Sequence, residues 1–206
     1  MDNRLFSPAS QRNKKYIGDV LSRIILRKGS ILEIGSGSGE HGIAFQKRFP
    51  EIIWQLSDLN LEHRKSISSW IQYEKLNLKM PQPLVINIEE IPWVIPSDLL
   101  LSLQGIICIN VIHVSSWGCT KSLFEGSGKI LKYGQFLMLY GPFKIGKKYT
   151  SESNYLFDKK LRLKNRSWGL RDLEEVNKEG TNYGFKLDEV IAMPANNLSV
   201  IYRKVS

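Results

Sequence analysis

Between residues 11 and 27, apolar side chains recur at Tyr16, Ile17, Val20, Leu21, Ile24 and Ile25. That three-and-four spacing predicts a one-sided helix, ended by Lys28-Gly29. The period then changes. Residues 30–34 form a short apolar run that empties into Gly35, which predicts a buried strand, a glycine loop and a helix from about 39 to 48. Further strands are predicted over 51–56, ending near Asp58, and over 83–88, with a helix over 61–75 between them. After the Pro- and Trp-rich stretch 91–96, a short helix leads to a fourth strand over 105–111. A helix over about 120–132 precedes a fifth strand over 136–140.

Strands alternating with helices imply one α/β domain over 1–206, a parallel sheet covered on both faces, with a helical N-terminal segment over 1–28. Cofactors bind such sheets beyond the carboxyl ends of the strands. Past residue 146 the chain changes character. From 146 to 184 it is polar and mostly helical, an insertion between the fifth strand and the last two. It closes with two β-runs, 185–192 and 198–204, joined by Met193-Pro194-Ala195-Asn196-Asn197. So short a link permits an antiparallel hairpin and forbids a helical crossover.

Composition narrows the class. With 42% apolar and 24% charged residues the 206-residue chain is an ordinary globular protein. The first eleven residues lack the apolar core of a signal peptide, and no run approaches a membrane span, so a cytoplasmic address with no membrane contact is expected. The two cysteines predict neither a disulfide framework nor a metal site, and Cys108 sits in an apolar run that reads as core. The net charge of +9 is compatible with a nucleic-acid partner, which is not favoured because the basic residues are scattered and 159–166 reads as a solvated helix end.

The chemistry concentrates at Glu33-Ile34-Gly35-Ser36-Gly37-Ser38-Gly39. Alternating glycines where a strand becomes a helix let the backbone take positive φ and let a ligand approach. Asp58, at the end of the second strand, is placed to accept hydrogen bonds from ribose hydroxyls, or to cap the helix starting near Leu61. Residues 37–42 also satisfy the dinucleotide pattern of NAD enzymes. Glu33 inside the strand, glycine directly after it, and the final hairpin favour a methyl donor instead.

The loop resembles the first motif of the class I S-adenosylmethionine-dependent methyltransferases. Phe6-Ser7-Pro8-Ala9, Arg12-Asn13-Lys14, 54–58, Ile112-His113, 139–143, Ser153-Asn154, Phe157-Asp158, 168–172 and 193–197 resemble, further, a methyltransferase-like family of unknown substrate. The resemblance implies a Rossmann-like seven-stranded sheet of order 3-2-1-4-5-7-6 with strand 7 antiparallel. It implies S-adenosylmethionine as cofactor and S-adenosylhomocysteine as product, and leaves the acceptor open. The acceptor is read as a small molecule; an RNA or protein acceptor, or binding without catalysis, are the alternatives.

Cofactor contacts are expected from Glu33, Gly35, Ser36, Gly37, Gly39, His41, Asp58, Asn87, Ile88, Asn110 and Val111. Asn87 stands where such enzymes often carry Asp facing the adenine amino group. His113 follows the fourth strand and is the candidate proton acceptor, although alignment alone can accelerate transfer from a sulfonium. Trp117, Tyr140, Asn154, Asp158, Arg171 and Asn196 are the candidate substrate contacts, with Arg171 suited to a carboxylate or phosphate. No metal is expected.

Overall fold

A computed structural model describes residues 2–206 and divides the chain into two compact units. The first comprises the residues up to Asn87 together with Trp93–Ile107. Its elements are α1 (Pro8–Ile24), β1 (Gly29–Ile34), α2 (Glu40–Arg48), β2 (Ile52–Ser57), α3 (Leu61–Tyr73), α4 (Ser97–Ser102) and most of β3 (Leu103–Ile109). Helix α1 starts earlier than its apolar spacing suggests, because Ser7 accepts a hydrogen bond from the Ser10 N–H as its cap and Pro8 fits the first turn. Strands β1 and β2 pair in parallel, Glu33 opposite Leu56. Ile17, Leu21, Ile31, Leu32, Phe45, Trp54 and Ile71 are buried as the core of this unit.

The strand expected over 83–88 does not form. Its place is held by one parallel bridge between Ser57 and Leu84, with the Leu84 N–H donating to Leu56 and the Asp58 N–H to Leu84. Beside this bridge a side chain takes over, as Gln55 Nε2 donates to the Gln82 carbonyl at 2.9 Å. Nearer the start of β2 a side chain stands in. Gln46 donates to the Ile52 carbonyl at 2.7 Å and accepts from the Trp54 N–H at 3.0 Å, occupying both backbone groups as a neighbouring peptide would.

The second unit comprises Ile88–Pro92 and Cys108–Ser206. Its elements are α5 (Trp117–Ile130), β4 (Phe136–Gly141), β5 (Phe143–Ile145), β6 (Lys148–Tyr149), α6 (Glu152–Lys164), β7 (Arg171–Asp172), α7 (Leu173–Asn182), β8 (Phe185–Met193) and β9 (Asn197–Lys204). Strand β9 pairs antiparallel with both β4 and β8, so the predicted closing hairpin is present. Its link turns through Ala195 and Asn196, both at positive φ. Phe124 packs edge-on against Phe185 and Tyr202 at the centre of the unit.

Strand order is β2-β1-β3 in the first unit and β4-β9-β8 in the second, six strands in all. The expected seven-strand order is therefore corrected by the loss of the 83–88 strand. Strands β6 and β7, which flank β5 in a second, small sheet, break up the polar 146–184 segment, which otherwise holds the two helices α6 and α7. Strands of two or three residues carry too little alternation to be seen in sequence. Both cysteines are buried thiols. Among the described residues no helix is long and apolar enough to cross a membrane.

Candidate functional site

The glycine loop leaves β1 at Ile34 and enters α2 at Glu40, with Gly35, Gly37 and Gly39 all at positive φ. Gly39 is the N-cap of α2, and a Cβ there would lie 2.8 Å from Ile67, so both its φ and its space require glycine. Around Gly37, by contrast, a Cβ would meet nothing within 4 Å. The loop therefore presents open backbone at Gly37, and the start of α2 behind it adds unpaired N–H groups.

Asp58 closes this loop. Its carboxylate accepts the Gly37 N–H at 2.8 Å and the Asn60 N–H at 2.9 Å, and lies 3.1 Å from His63 Nδ1. The cap of α3 is Asn60, which accepts from the Glu62 and His63 N–H groups, so Asp58 is not the helix cap. A carboxylate offers about four acceptor positions, which leaves Asp58 capacity for a ribose hydroxyl. Open backbone at Gly37 beside a carboxylate with spare lone pairs fits a nucleoside cofactor.

Glu33 is wholly buried below the loop. It accepts a 2.9 Å hydrogen bond from Trp54 Nε1, and burial pushes its carboxyl up to about 7. The Glu33 carbonyl takes the hydroxyls of Ser36 and Ser57, while the Ser36 N–H donates to Ser57. Glu33 and Ser36 thus lock the loop onto β2. His41, buried one turn into α2, shares one ring nitrogen with Asn13 at 2.6 Å and the other with Ser10 at 3.4 Å. Burial pulls it down to about 4, so it is neutral, and both its nitrogens face α1. Asn87, half-buried, completes the expected cofactor residues of this unit.

The remaining candidates belong to the second unit. Ile88 is half-buried. Asn110 takes positive φ directly after β3, an uncommon conformation that asparagine tolerates better than most, and its N–H donates to the Tyr140 carbonyl at 2.8 Å. Val111 follows it into a short 3-10 turn carrying His113. The His113 ring lies so near Gly141 that a Cβ there would be 3.0 Å from Nδ1, and this buried nitrogen has no hydrogen-bond partner. Burial, with the Arg171 charge adding to it, pulls His113 down to about 4.

Arg171 holds the His113 turn from outside. It donates to the carbonyls of Ile112, Ser115 and Ser167, and its guanidinium lies 5.9 Å from the Trp117 ring. These bonds hold three backbone carbonyls, a use the sequence did not suggest. Asp158 is buried and accepts from Tyr149, Arg162 and the Leu170 N–H. Those donors hold its carboxyl below the usual range against the opposing effect of burial. Asn154 donates to Thr150 and to the Asn196 carbonyl, and the Asn196 amide returns a bond to Ser153, so these two candidates meet each other. Tyr140 is buried in β4.

One cluster was missed from the sequence. Glu40, buried in the first turn of α2, accepts from the Ser7 N–H, Gln11 Nε2 and Ser38 Oγ. The sole sequence signal was an acid at a helix start, which usually faces water.

A family described as "Protein of unknown function (DUF938)" matches residues 4–204. Among solved structures, an O-methyltransferase family protein from Burkholderia thailandensis superimposes with a TM-score of 0.78 at 13% identity, over 96% of this chain and 58% of its own. Mitomycin 7-O-methyltransferase gives 0.77 at 14%, over 96% and 55%. Human N-acetylserotonin methyltransferase, solved with S-adenosylmethionine, gives 0.74 at 14%, over 96% and 53%. The chain thus has the methyltransferase-like α/β fold and spans little more than half the length of these proteins.

Proposed function

The chain belongs to the protein family of unknown function DUF938, and we propose that it is an S-adenosylmethionine-dependent methyltransferase acting on a small molecule. The observation that carries this reading is the glycine loop tied through the Gly37 N–H to the Asp58 carboxylate. The fold shared with mitomycin 7-O-methyltransferase and with N-acetylserotonin methyltransferase supports it.

Gly35, Gly37 and Gly39 would admit the cofactor to the backbone, Asp58 would hold its ribose, and Asn87 would accept from its adenine amino group. Glu33 and Ser36 would keep the loop in shape. When bound, S-adenosylmethionine supplies a methyl group already activated by its sulfonium, so binding and alignment can carry much of the acceleration. His41, engaged on both nitrogens by α1, supports the loop from behind.

In the second unit, Trp117, Tyr140 and the His113 turn are the acceptor-side residues of this proposal. His113 is neutral near pH 7. Its buried Nδ1 has no hydrogen-bond partner and lies close to Gly141. We assign His113 to contacting the acceptor: a neutral imidazole both donates and accepts a hydrogen bond, and its lowered proton affinity makes it a weak base for the proton removal that its position suggests. Asn154, Asp158, Arg171 and Asn196 shape this side by holding its loops.

Calorimetric titration with S-adenosylmethionine, S-adenosylhomocysteine and NAD tests the cofactor. Binding of the first two without NAD is expected, followed by a methylated product when metabolite extracts are incubated with methyl-labelled cofactor. Binding of NAD alone, or of none of the three, would overturn the proposal; cofactor binding with no product in any extract would favour a non-catalytic role.

A further inference from the structure

Residues 4–13 run along the cofactor loop, and two buried groups tie both to the same residue, Ser38. The Glu40 carboxylate takes the Ser38 hydroxyl with one oxygen, and that same oxygen accepts the Ser7 N–H. Its other oxygen accepts Gln11 Nε2. Ser66 Oγ donates to the Ser38 carbonyl at 2.7 Å and accepts the Leu5 N–H at 2.9 Å. Each side chain therefore bridges the N-terminal strap and the glycine loop.

The strap is anchored further along α3. Trp70 Nε1 donates to the Leu5 carbonyl, Phe6 packs edge-on against Trp70, and the Arg4 guanidinium sits 3.5 Å from the centre of the Tyr73 ring. Glu40 is 5% exposed and has no ion-pair partner among the described residues, so its carboxylate is held by three donors and the start of α2. Two of those donors, Ser7 and Gln11, belong to the strap side. If the strap lifts, Glu40 keeps Ser38 alone and must be met by water, and Ser38 loses the fixed geometry of both its bridges.

We propose that the N-terminal strap and the cofactor loop open and close as one unit, with Glu40 and Ser66 as positioning residues for Ser38 and hence for Gly37 and Gly39. The inference rests on the reading of the loop as an S-adenosylmethionine site. Strap docking and cofactor binding are then reciprocally coupled, as any two events that share one conformational equilibrium must be. A merely structural strap would leave cofactor affinity unchanged.

The test is calorimetric titration of the full chain with S-adenosylhomocysteine, in parallel with amide hydrogen exchange at Leu5 and Ser7. In the unmodified protein the ligand should slow exchange at both amides. Glu40→Gln, which keeps the size but presents donors to donors, should bind about tenfold more weakly and lose the slowing at Ser7. Ser66→Ala, a milder change that leaves Glu40 in place, should move affinity the same way and release Leu5. Equal affinity in both variants, or strap exchange indifferent to the ligand, overturns the coupling while leaving the cofactor site standing. No binding by the unmodified protein sinks the cofactor reading and this inference with it.

Discussion

At Asp58, one carboxylate serves both the glycine loop and, on the present proposal, the cofactor. Asp58→Asn keeps the shape but removes the charge, and the expected cost is about 1–3 kcal/mol of S-adenosylhomocysteine affinity, read by calorimetry. Glu33 offers a second test through pH. Its carboxyl titrates near 7 when folded against about 4.5 when free, so the folded state holds the extra proton between those values. Stability from this group is present at low pH and lost as pH rises through 7, by up to about 3 kcal/mol. Urea unfolding of Glu33→Gln should lack that decline; identical pH profiles would mean that Glu33 is not desolvated. His41 works in the opposite sense. Titrating near 4 when folded and 6.5 when free, it stabilises the protein above pH 6.5 and loses that contribution as pH falls towards 4. Acid unfolding of His41→Gln should be shallower than that of the parent protein.

Among elements, long periodic segments were legible and short ones were not. Helix α3 announced itself by its period, and strands β1, β2 and β4 by apolar runs that are buried almost throughout; the closing hairpin did so by its short link. The 83–88 strand was misread because a short apolar run looks like a strand whether or not its backbone pairs, and here only Leu84 does. The two- and three-residue strands β5, β6 and β7 left no signal. Of the site, the glycine loop and Asp58 were visible, whereas the duties of Arg171, Asp158 and Asn154 were not, since polar residues far apart in sequence reveal partners only when folded. Gln46 belongs to this scale because it completes an edge of β2 that no strand covers there. Gln46→Leu leaves the Ile52 carbonyl and Trp54 N–H without it, and the expected loss is about 2–3 kcal/mol in chemical denaturation.

For the molecule as a whole, the net charge of +9 is the property that composition fixes and the site does not use. Attraction of this kind for RNA is expected to be generic and to collapse as salt rises from 50 to 200 mM. Filter binding to an unrelated RNA across that range measures it. Affinity that survives the higher salt and depends on RNA sequence would favour an RNA acceptor over a small molecule.

The Glu40 cluster also has a place in time. Ser7, Gln11, Ser38 and Glu40 lie 33 residues apart at most, so the ribosome delivers all of them before it begins β2. Chains emerge N-terminal end first, and closing so short a loop costs little entropy. The contacts that shape the glycine loop are therefore open to the nascent chain long before the residues of the final hairpin exist.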